Sequence, residues 1–260
     1  SFGVCVEFEN IENIPNPSGR QHVAFLDIAE HDAAILEQQL LRKFGALRAK
    51  FIKCDITDDA QLVAAYKQVL DKYWRLDGVV NCAGVLTVDE RNIRRMVDIN
   101  FTATVTSTLK ALEVMGVNKG GNGGVIINIS SLLALNLSPR LPVYAATKTA
   151  VLQFSIAMGV RYNGKRHSKV RVITVCLGPT DTAILNRSNL ENFDEDSVEF
   201  VLSRVPVRQS VESAVSGILE VMEEGKSGDT WIVKNDQRAS DFTTKLNNVC
   251  DCFICNELLF

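Results

Sequence analysis

The sequence lacks the long apolar segment that a membrane-spanning helix requires. None of its hydrophobic runs approaches the roughly 18–20 residues needed to cross a bilayer, although apolar residues make up 46% of its 260 residues. The first dozen residues contain no cation but include Glu7, Glu9 and Glu12, so they do not have the composition of a secretory signal. An excess of basic charge is also absent, because the net charge is −3. This charge argues against nucleic acid or an anionic membrane as the main partner.

Internal repeats, low-complexity tracts and long linkers are absent as well, so nothing in the sequence divides the chain. A chain of 260 residues can bury a core without a metal or a disulfide. Its seven cysteines are an odd number, and most lie inside apolar runs, as reduced and buried thiols do. We therefore predict one cytoplasmic domain over residues 1–260, with an atypical N-terminal segment at 1–22 and a C-terminal tail at 240–260.

The tail contains the spacing Cys250-x-Cys252-x-x-Cys255, which resembles part of a zinc site. A fourth ligand is not evident, and the spacing matches no common zinc site. The alternative interpretation is an apolar tail that packs at a subunit edge. We predict no metal site in this protein.

Short β-rich apolar runs alternate with helical patterns along the chain. This alternation is typical of a parallel sheet whose strands are joined by crossover helices. Continuous hydrophobic strands of this kind are covered on both faces. The predicted strands are residues 23–27, 51–54, 78–81, 125–129, 170–176 and 231–233. The predicted helices are residues 33–44, 57–74, 92–115, 144–162 and 211–224.

The glycine-rich turn that binds a dinucleotide phosphate is missing at the start of the chain. Residues 4–8 (VCVEF) could form a strand, but residues 9–20 contain two prolines and are too short for a full crossover helix. Only Gly3 and Gly19 are available there, and their spacing matches no dinucleotide-binding pattern. The first residue is Ser1 rather than Met, which indicates a fragment, a processed chain or a trimmed one. We therefore expect an atypical or truncated first βα unit.

A tyrosine and a lysine four positions apart, Tyr144 and Lys148, begin one of the helices. Positions i and i+4 share a helical face, so the two side chains converge, and a neighbouring cation lowers the pKa of a phenol. By itself this pair occurs in many helices without a function. Ser131 and residues 81–84 (NCAG) end two predicted strands, however, and Asn100 lies in a long helix. Because the carboxyl ends of parallel strands meet at one sheet edge, we predict that these residues form one site.

These features together resemble the classical short-chain dehydrogenase/reductase family. The resemblance covers about residues 23–233 and is greatest to the groups of NAD-dependent 15-hydroxyprostaglandin dehydrogenases and insect alcohol dehydrogenases. It implies a Rossmann-like α/β domain with a doubly wound parallel sheet. The motifs that carry it are Asp55 in CDITD, residues 81–84, Asn100 in DINF, Ser130 and Ser131, Tyr144 with Lys148, and Gly178 in CLGPTDT.

The resemblance also implies a role for each catalytic residue. Tyr144 would exchange a proton with the substrate oxygen, and Ser131 would hydrogen-bond the same oxygen. Lys148 would bind the nicotinamide ribose and lower the pKa of Tyr144. Asn100 would kink its helix and hold a water that passes the proton to solvent. The substrate side would consist of Ser131, Leu141 and Tyr144, with residues 181–204 as a covering loop. Leu141 stands where the prostaglandin enzymes carry a glutamine.

The cofactor implied by the resemblance is NAD. A carboxylate at Asp27, which ends a predicted strand, would accept hydrogen bonds from the adenosine ribose and repel a 2′-phosphate. The alternative for Asp27 is a helix-capping role. The implied cofactor-binding residues are Asp27, Ile28, Asp55, Ile56, Asn81, Ala83, Gly84, Tyr144, Lys148, Gly178, Thr180 and Thr182.

Two functional hypotheses follow. The first is an NAD-dependent oxidoreductase that interconverts a secondary alcohol and a ketone of a small apolar or lipid-like molecule, in a homo-oligomer as the resemblance implies. The alternative is a catalytically impaired relative without the glycine-rich cofactor loop, either an interaction protein or the product of a misassembled gene.

Overall fold

A computed structural model of the chain describes residues 22–45, 49–163, 168–185, 193, 195, 198 and 208–254, without the side chains of 163 and 249–254. The residues of the predicted atypical segment, 1–21, lie outside this description, as does most of the predicted covering loop 181–204. The strands are β1 (Val23–Asp27), β2 (Ala49–Lys53), β3 (Gly78–Asn81), β4 (Gly124–Ser131), β5 (Val170–Leu177), β6 (Thr230–Val233) and β7 (Ser240–Asp241). The helices are α1 (Glu30–Phe44), α2 (Asp59–Tyr73), α3 (Ile93–Val97), α4 (Ala103–Met115), α5 (Pro142–Asn163), α6 (Val211–Glu224) and α7 (Thr243–Ile254).

Parallel pairing dominates the described strands. β1 and β2 pair in parallel, and the other five strands follow the order β3-β4-β5-β6-β7. Within this larger sheet β3, β4, β5 and β6 are parallel neighbours. Such neighbours require long crossovers, which helices supply here, as α5 does between β4 and β5. The predicted α/β fold with a parallel central sheet is confirmed.

Two features add to the prediction. Among the described residues, no strand pairing joins β1 to β3, and the possible strand predicted at residues 4–8 lies outside them. The predicted C-terminal tail, residues 240–260, begins with regular structure, because β7 pairs antiparallel with β6 and α7 follows it. The sequence analysis predicted neither element, and a two-residue strand is too short to show a hydrophobic period. In the structure the backbone N–H of Thr243, at the start of α7, donates to the Asp241 carboxylate (2.8 Å).

One apolar cluster connects the two sheets. It includes Leu26 and Ile52 from the small sheet and Ile126 and Val172 from the large one, packed with residues of α2, α4 and α5. The two sheets therefore share a core on this face. A second cluster lies between the larger sheet and α6, around Val175 and other β-branched residues. This packing fixes the carboxyl edge of the strands, where the candidate site lies.

A chain of polar side chains crosses the core behind that edge. Asn81 at the end of β3 accepts a hydrogen bond from Ser107 Oγ (2.6 Å) and donates to Asn128 Oδ1 (2.8 Å). Asn128 Nδ2 donates in turn to Ser155 Oγ (2.9 Å), and Tyr66 OH lies 2.9 Å from Ser107 Oγ. These groups are buried, so the network is satisfied by protein partners rather than by solvent. It ties β3 and β4 to α2, α4 and α5.

Candidate active site

Ser131 ends β4 at the carboxyl edge of the sheet. Its hydroxyl accepts a hydrogen bond from the backbone N–H of Leu133 (3.2 Å), which caps a short 3₁₀ turn. The same side chain hydrogen-bonds with the phenol of Tyr144 on α5. Because Leu133 N–H already occupies one lone pair, the hydroxyl is held in one place next to the phenol. The structure thus joins two of the predicted catalytic residues.

Lys148 lies one turn further along α5 and is almost fully buried. Its Nζ donates to the Ile129 carbonyl (3.1 Å) and lies 5.9 Å from the centre of the Tyr144 ring. Ser130 Oγ donates to the backbone carbonyl of Lys148 (2.7 Å), which fastens α5 to β4 at this point. Ser131, Tyr144 and Lys148 therefore form one constellation, as the spacing predicts.

The electrostatics of this pair differ from the prediction. Burial raises the pKa of Tyr144 to about 12, although the hydrogen bond from Ser131 acts in the opposite direction. Burial lowers the pKa of Lys148 to about 8, although the nearby thiols of Cys82 and Cys176 act to raise it. In the protein alone the pKa of Tyr144 is therefore raised, whereas the sequence predicted that it is lowered. Burial outweighs the hydrogen bond with Ser131, which favours the phenolate.

Asn100 lies where the helix between β3 and β4 changes its winding. Residues 98–102 form a π-helical turn between α3 and α4. The Asn100 carboxamide accepts from the Val85 backbone N–H (2.8 Å) and donates to the Val85 carbonyl (3.0 Å), which holds the chain after NCAG. A π turn of this kind is frequent at functional sites. The predicted role of Asn100 in holding a water stays a prediction.

Thr147 connects Asn100 to the catalytic helix, and the sequence analysis missed it. Its hydroxyl donates to the Tyr144 carbonyl (2.7 Å) and accepts from Asn100 Nδ2 (3.2 Å). Buried threonines commonly bond back to their own helix, so sequence alone gave no signal for this link. Thr147 thereby fixes the angle between α5 and the π turn.

Residues 81–84, the NCAG turn at the end of β3, lie partly in the core and partly at the candidate site. The Asn81 side chain faces the core network and is nearly fully buried, so its carboxamide does not line the site. Ala83 is also buried, whereas Gly84 borders the catalytic residues. A Cβ atom on Gly84 would lie 3.4 Å from Lys148 Nζ and 3.6 Å from Asn100 Oδ1. The backbone of Gly84 therefore lies close to both Lys148 and Asn100.

The predicted adenosine-binding residues lie at the ends of β1 and β2. The Asp27 carboxylate is 2% exposed and accepts from the Ala29 backbone N–H (2.7 Å) just before α1. This bond resembles the capping alternative, and the ribose role stays a prediction. Ile28 is 41% exposed, and Ile56 is half-buried. The Asp55 carboxylate accepts from Thr57, so it holds the turn that precedes α2.

The turn after β5 contains the residues predicted to line the nicotinamide. Gly178 N–H donates to the Val233 carbonyl (2.8 Å), and Thr182 N–H donates to the Thr180 carbonyl (2.8 Å). A Cβ atom on Gly178 would lie 2.7 Å from Lys234 Cβ, so glycine is required for this close approach. Hydrogen bonds and close packing thus hold this turn in place. That it binds the cofactor stays a prediction.

Apolar side chains gather beside the Tyr144 ring. Leu141 and Phe193 are buried there, and both lie outside the larger core clusters. The residues packed with them are Leu86, Val88, Leu133, Tyr144, Leu185 and Val198. Leu141, a predicted substrate contact, is therefore part of an apolar wall next to the catalytic phenol.

Other chemistries have less support in the described part of the chain. No group of three His, Cys, Asp or Glu side chains there is arranged to hold a metal ion. The side chains of the cysteines at 250, 252 and 255 lie outside the description. None of the described helices is long and apolar enough to cross a bilayer.

Comparison with protein families and known proteins identifies the family of the chain. A family model described as short chain dehydrogenase matches residues 18–192. Human 15-hydroxyprostaglandin dehydrogenase (NAD+) is 34% identical over 167 residues, which are 64% of this chain and 60% of that protein. Alcohol dehydrogenase 1 of Ceratitis capitata is 38% identical over 136 residues, which are 52% of each chain. The match thus spans three fifths or less of the length of these relatives.

Solved structures share the fold at lower identity. A short-chain type dehydrogenase/reductase from Mycobacterium ulcerans has a TM-score of 0.68 and 24% identity, and the match covers 92% of this chain and 89% of that one. A structure of ElxO with NADP bound has a TM-score of 0.64 and 23% identity over 82% of this chain and 86% of its own. At these identities the likeness concerns the fold.

Proposed function

Because the chain belongs to the short-chain dehydrogenase family, we propose that it is an NAD-dependent oxidoreductase that interconverts a secondary alcohol and a ketone. The observation that carries this proposal is the constellation of Ser131, Tyr144 and Lys148. Ser131 hydrogen-bonds Tyr144, and Lys148 Nζ lies 5.9 Å from the Tyr144 ring. Gly84, which has no side chain, lies against Lys148 and Asn100 at the same site.

In this proposal each residue has a distinct task at the substrate oxygen. Ser131 hydrogen-bonds that oxygen, and Tyr144 OH gives it a proton in reduction or removes one in oxidation. Lys148 holds the cofactor ribose and favours the phenolate. A bound nicotinamide supplies the hydride chemistry, and its oxidised form adds positive charge near the phenol. That charge opposes the desolvation that raises the pKa of Tyr144 in the protein alone.

The apolar wall beside Tyr144 indicates the class of substrate. Leu141 and Phe193 are buried there, and the partly buried side chains packed against them, such as Leu86, Val88 and Leu185, leave hydrocarbon surface next to the catalytic phenol. A substrate that buries apolar groups there gains about 25 cal/mol for each Å² removed from water. We therefore propose a small apolar or lipid-like alcohol or ketone. The two groups of relatives, which include 15-hydroxyprostaglandin dehydrogenase and insect alcohol dehydrogenase, support this class.

Replacement of the catalytic phenol tests the proposal. Wild type, Tyr144→Phe and the control Tyr162→Phe are assayed for NADH formation with a panel of secondary alcohols. Loss of a general acid–base lowers rates by roughly 100- to 10,000-fold, so Tyr144→Phe should lose at least about 100-fold in kcat. Tyr162 lies near the other end of α5, so its variant should keep the wild-type rate. A Tyr144→Phe protein with wild-type turnover would refute the assignment.

Assembly and location also belong to the proposal. Leu109 on α4 and Val160 on α5 expose 48% and 64% of their surface, which is compatible with a partner subunit on these helices. We propose a homo-oligomer, which light scattering on the purified chain tests. A cytoplasmic location is proposed from the cysteine content, and Cys54, Cys82 and Cys176 are in the reduced form.

A further inference from the structure

Gln209 is a fully buried amide just before α6, and one of its polar atoms has no partner. Its Nε2 donates to Thr180 Oγ1 (3.0 Å) and to the Val233 carbonyl (3.2 Å), while Oε1 has no hydrogen bond. The orientation of the amide is fixed, because the Val233 carbonyl can only accept. Buried acceptors without a donor are uncommon in native proteins and costly, so Gln209 requires an explanation.

The side chain and backbone of Gln209 hold the turn that follows β5. Gln209 N–H donates to the Pro179 carbonyl (2.9 Å), and Asp181 N–H donates to the Gln209 carbonyl (2.9 Å). Thr180 Oγ1 accepts from Gln209 and donates to the Gly178 carbonyl (3.1 Å). The Thr180 side chain is thereby fastened from two sides, in the middle of the turn predicted to contact the nicotinamide.

Packing alone does not explain an amide at this position. A methionine has similar length, and it would remove the unpartnered Oε1. The Val233 carbonyl would still accept from Gly178 N–H (2.8 Å), and the Thr180 hydroxyl would still donate to Gly178. No new buried polar atom would lose its last partner. An apolar side chain would therefore keep the fold as stable, but it would not hold the turn in its present shape.

We infer that Gln209 is a positioning residue for the cofactor-binding turn, acting through Thr180. The inference rests on the proposed function. Gln209 holds the Thr180 side chain in the middle of the turn predicted to contact the nicotinamide. The turn therefore keeps its shape before the cofactor arrives, and binding does not have to order it.

The variant Gln209→Met separates positioning from structural support. NADH binding is measured by fluorescence titration of the full chain, and stability by thermal unfolding. Loss of the hydrogen bonds from Nε2 should weaken NADH binding about three- to tenfold, while the unfolding midpoint stays unchanged or rises. A merely structural role would lower the midpoint.

The control is Thr174→Val, another buried site with an unpartnered polar atom, in the middle of β5. It removes an orphan hydroxyl without touching the turn, so stability should stay or rise and NADH binding should not change. Thr180→Val is also combined with Gln209→Met. If Gln209 acts through Thr180, the double variant should bind NADH no more weakly than the weaker single variant.

Three results would overturn the inference. Gln209→Met could bind NADH within twofold of wild type, it could lose stability in parallel with affinity, or the two substitutions could weaken binding additively. If wild type binds no NADH at millimolar concentration, the proposed function fails and the inference fails with it. If wild type binds NADH and Gln209→Met binds it equally well, the inference is refuted and the proposed function stands.

Discussion

The catalytic phenol is held in its neutral form by the protein around it. Burial raises the pKa of Tyr144 to about 12, well above neutral pH, and lowers that of Lys148 to about 8. A group whose pKa is raised by folding stays protonated until the pH approaches the raised value. Lys148 nevertheless stays mostly protonated at neutral pH, which lies below its pKa, and a bound oxidised nicotinamide would add a second positive charge near the phenol.

The ionisation of this phenol can be measured directly. The near-ultraviolet phenolate signal of Tyr144→Phe is subtracted from that of wild type during a pH titration. Without cofactor the difference should appear only near pH 12. With saturating NAD+ it should appear at lower pH, because a nearby positive charge favours phenolate. A midpoint near the ordinary value of 10 without cofactor would contradict the burial argument.

Cofactor choice is expected to depend on Asp27. If its carboxylate binds the ribose hydroxyls, Asp27→Ser should shrink the preference for NAD over NADP. Each lost charge-assisted hydrogen bond is worth about 1.5–3 kcal/mol. The comparison uses kcat/KM for both cofactors, with Asp32→Ser on the first turn of α1 as the control. A wild type that prefers NADP would contradict the role of Asp27 in cofactor choice.

At the level of elements, the polar network fixes how the helices sit on the sheet behind the site. Asn128 on β4 contacts Asn81 on β3, Thr108 on α4 and Ser155 on α5. Each of these bonds lies in the core, where an unpaired group is costly. The network therefore sets the relative position of β3, which leads into the NCAG turn, and α5, which carries Tyr144.

Removal of the central amide tests this function of the network. Asn128→Ala removes three buried hydrogen bonds, to Asn81, Thr108 and Ser155, so we expect a loss of about 2–4 kcal/mol in the free energy of unfolding. Urea denaturation measures it. Thr230→Val, which removes a buried hydroxyl that already lacks a partner, should change stability by less than about 0.5 kcal/mol or increase it. If both variants lost the same free energy of unfolding, the network would not stabilise the fold more than an isolated buried hydroxyl does.

The elements were predicted from sequence with different success. The strand at 23–27 and the helix at 211–224 match the observed bounds, because each has a continuous or periodic apolar pattern. The pattern at 92–115 predicted one helix, whereas the structure divides it by the π turn around Asn100. That turn depends on Val85, which is distant in sequence, so no local period could reveal it.

At the scale of the whole molecule, the N-terminal segment of the chain concerns cofactor binding. A pyrophosphate normally sits over the N-terminus of the first crossover helix, where free N–H groups and the helix dipole meet its charge. The sequence predicts no such helix in residues 9–20, which lie outside the described residues. We therefore expect weak NAD binding by the chain as it stands.

A graft tests this expectation. Residues 1–20 are replaced by a strand, a G-x-x-x-G-x-G turn and a helix, and the dissociation constant of NAD is measured by calorimetry before and after. The graft should tighten binding and raise turnover, because it supplies backbone N–H donors for the pyrophosphate. Low-micromolar binding by the native chain would show that other donors suffice, and the hypothesis of an impaired relative would then lose its support.

The sequence by itself determined the order of the main strands and helices between residues 23 and 233 and the pairing of Tyr144 with Lys148, because hydrophobic period and i, i+4 spacing are local properties. It also brought Ser131 to the same sheet edge, since parallel strands end together. Only the tertiary structure decided that Asn81 faces the core and that Gln209 holds Thr180. These contacts join residues 26 to 47 positions apart. The raised pKa of Tyr144 is also tertiary, because desolvation depends on everything packed around the phenol.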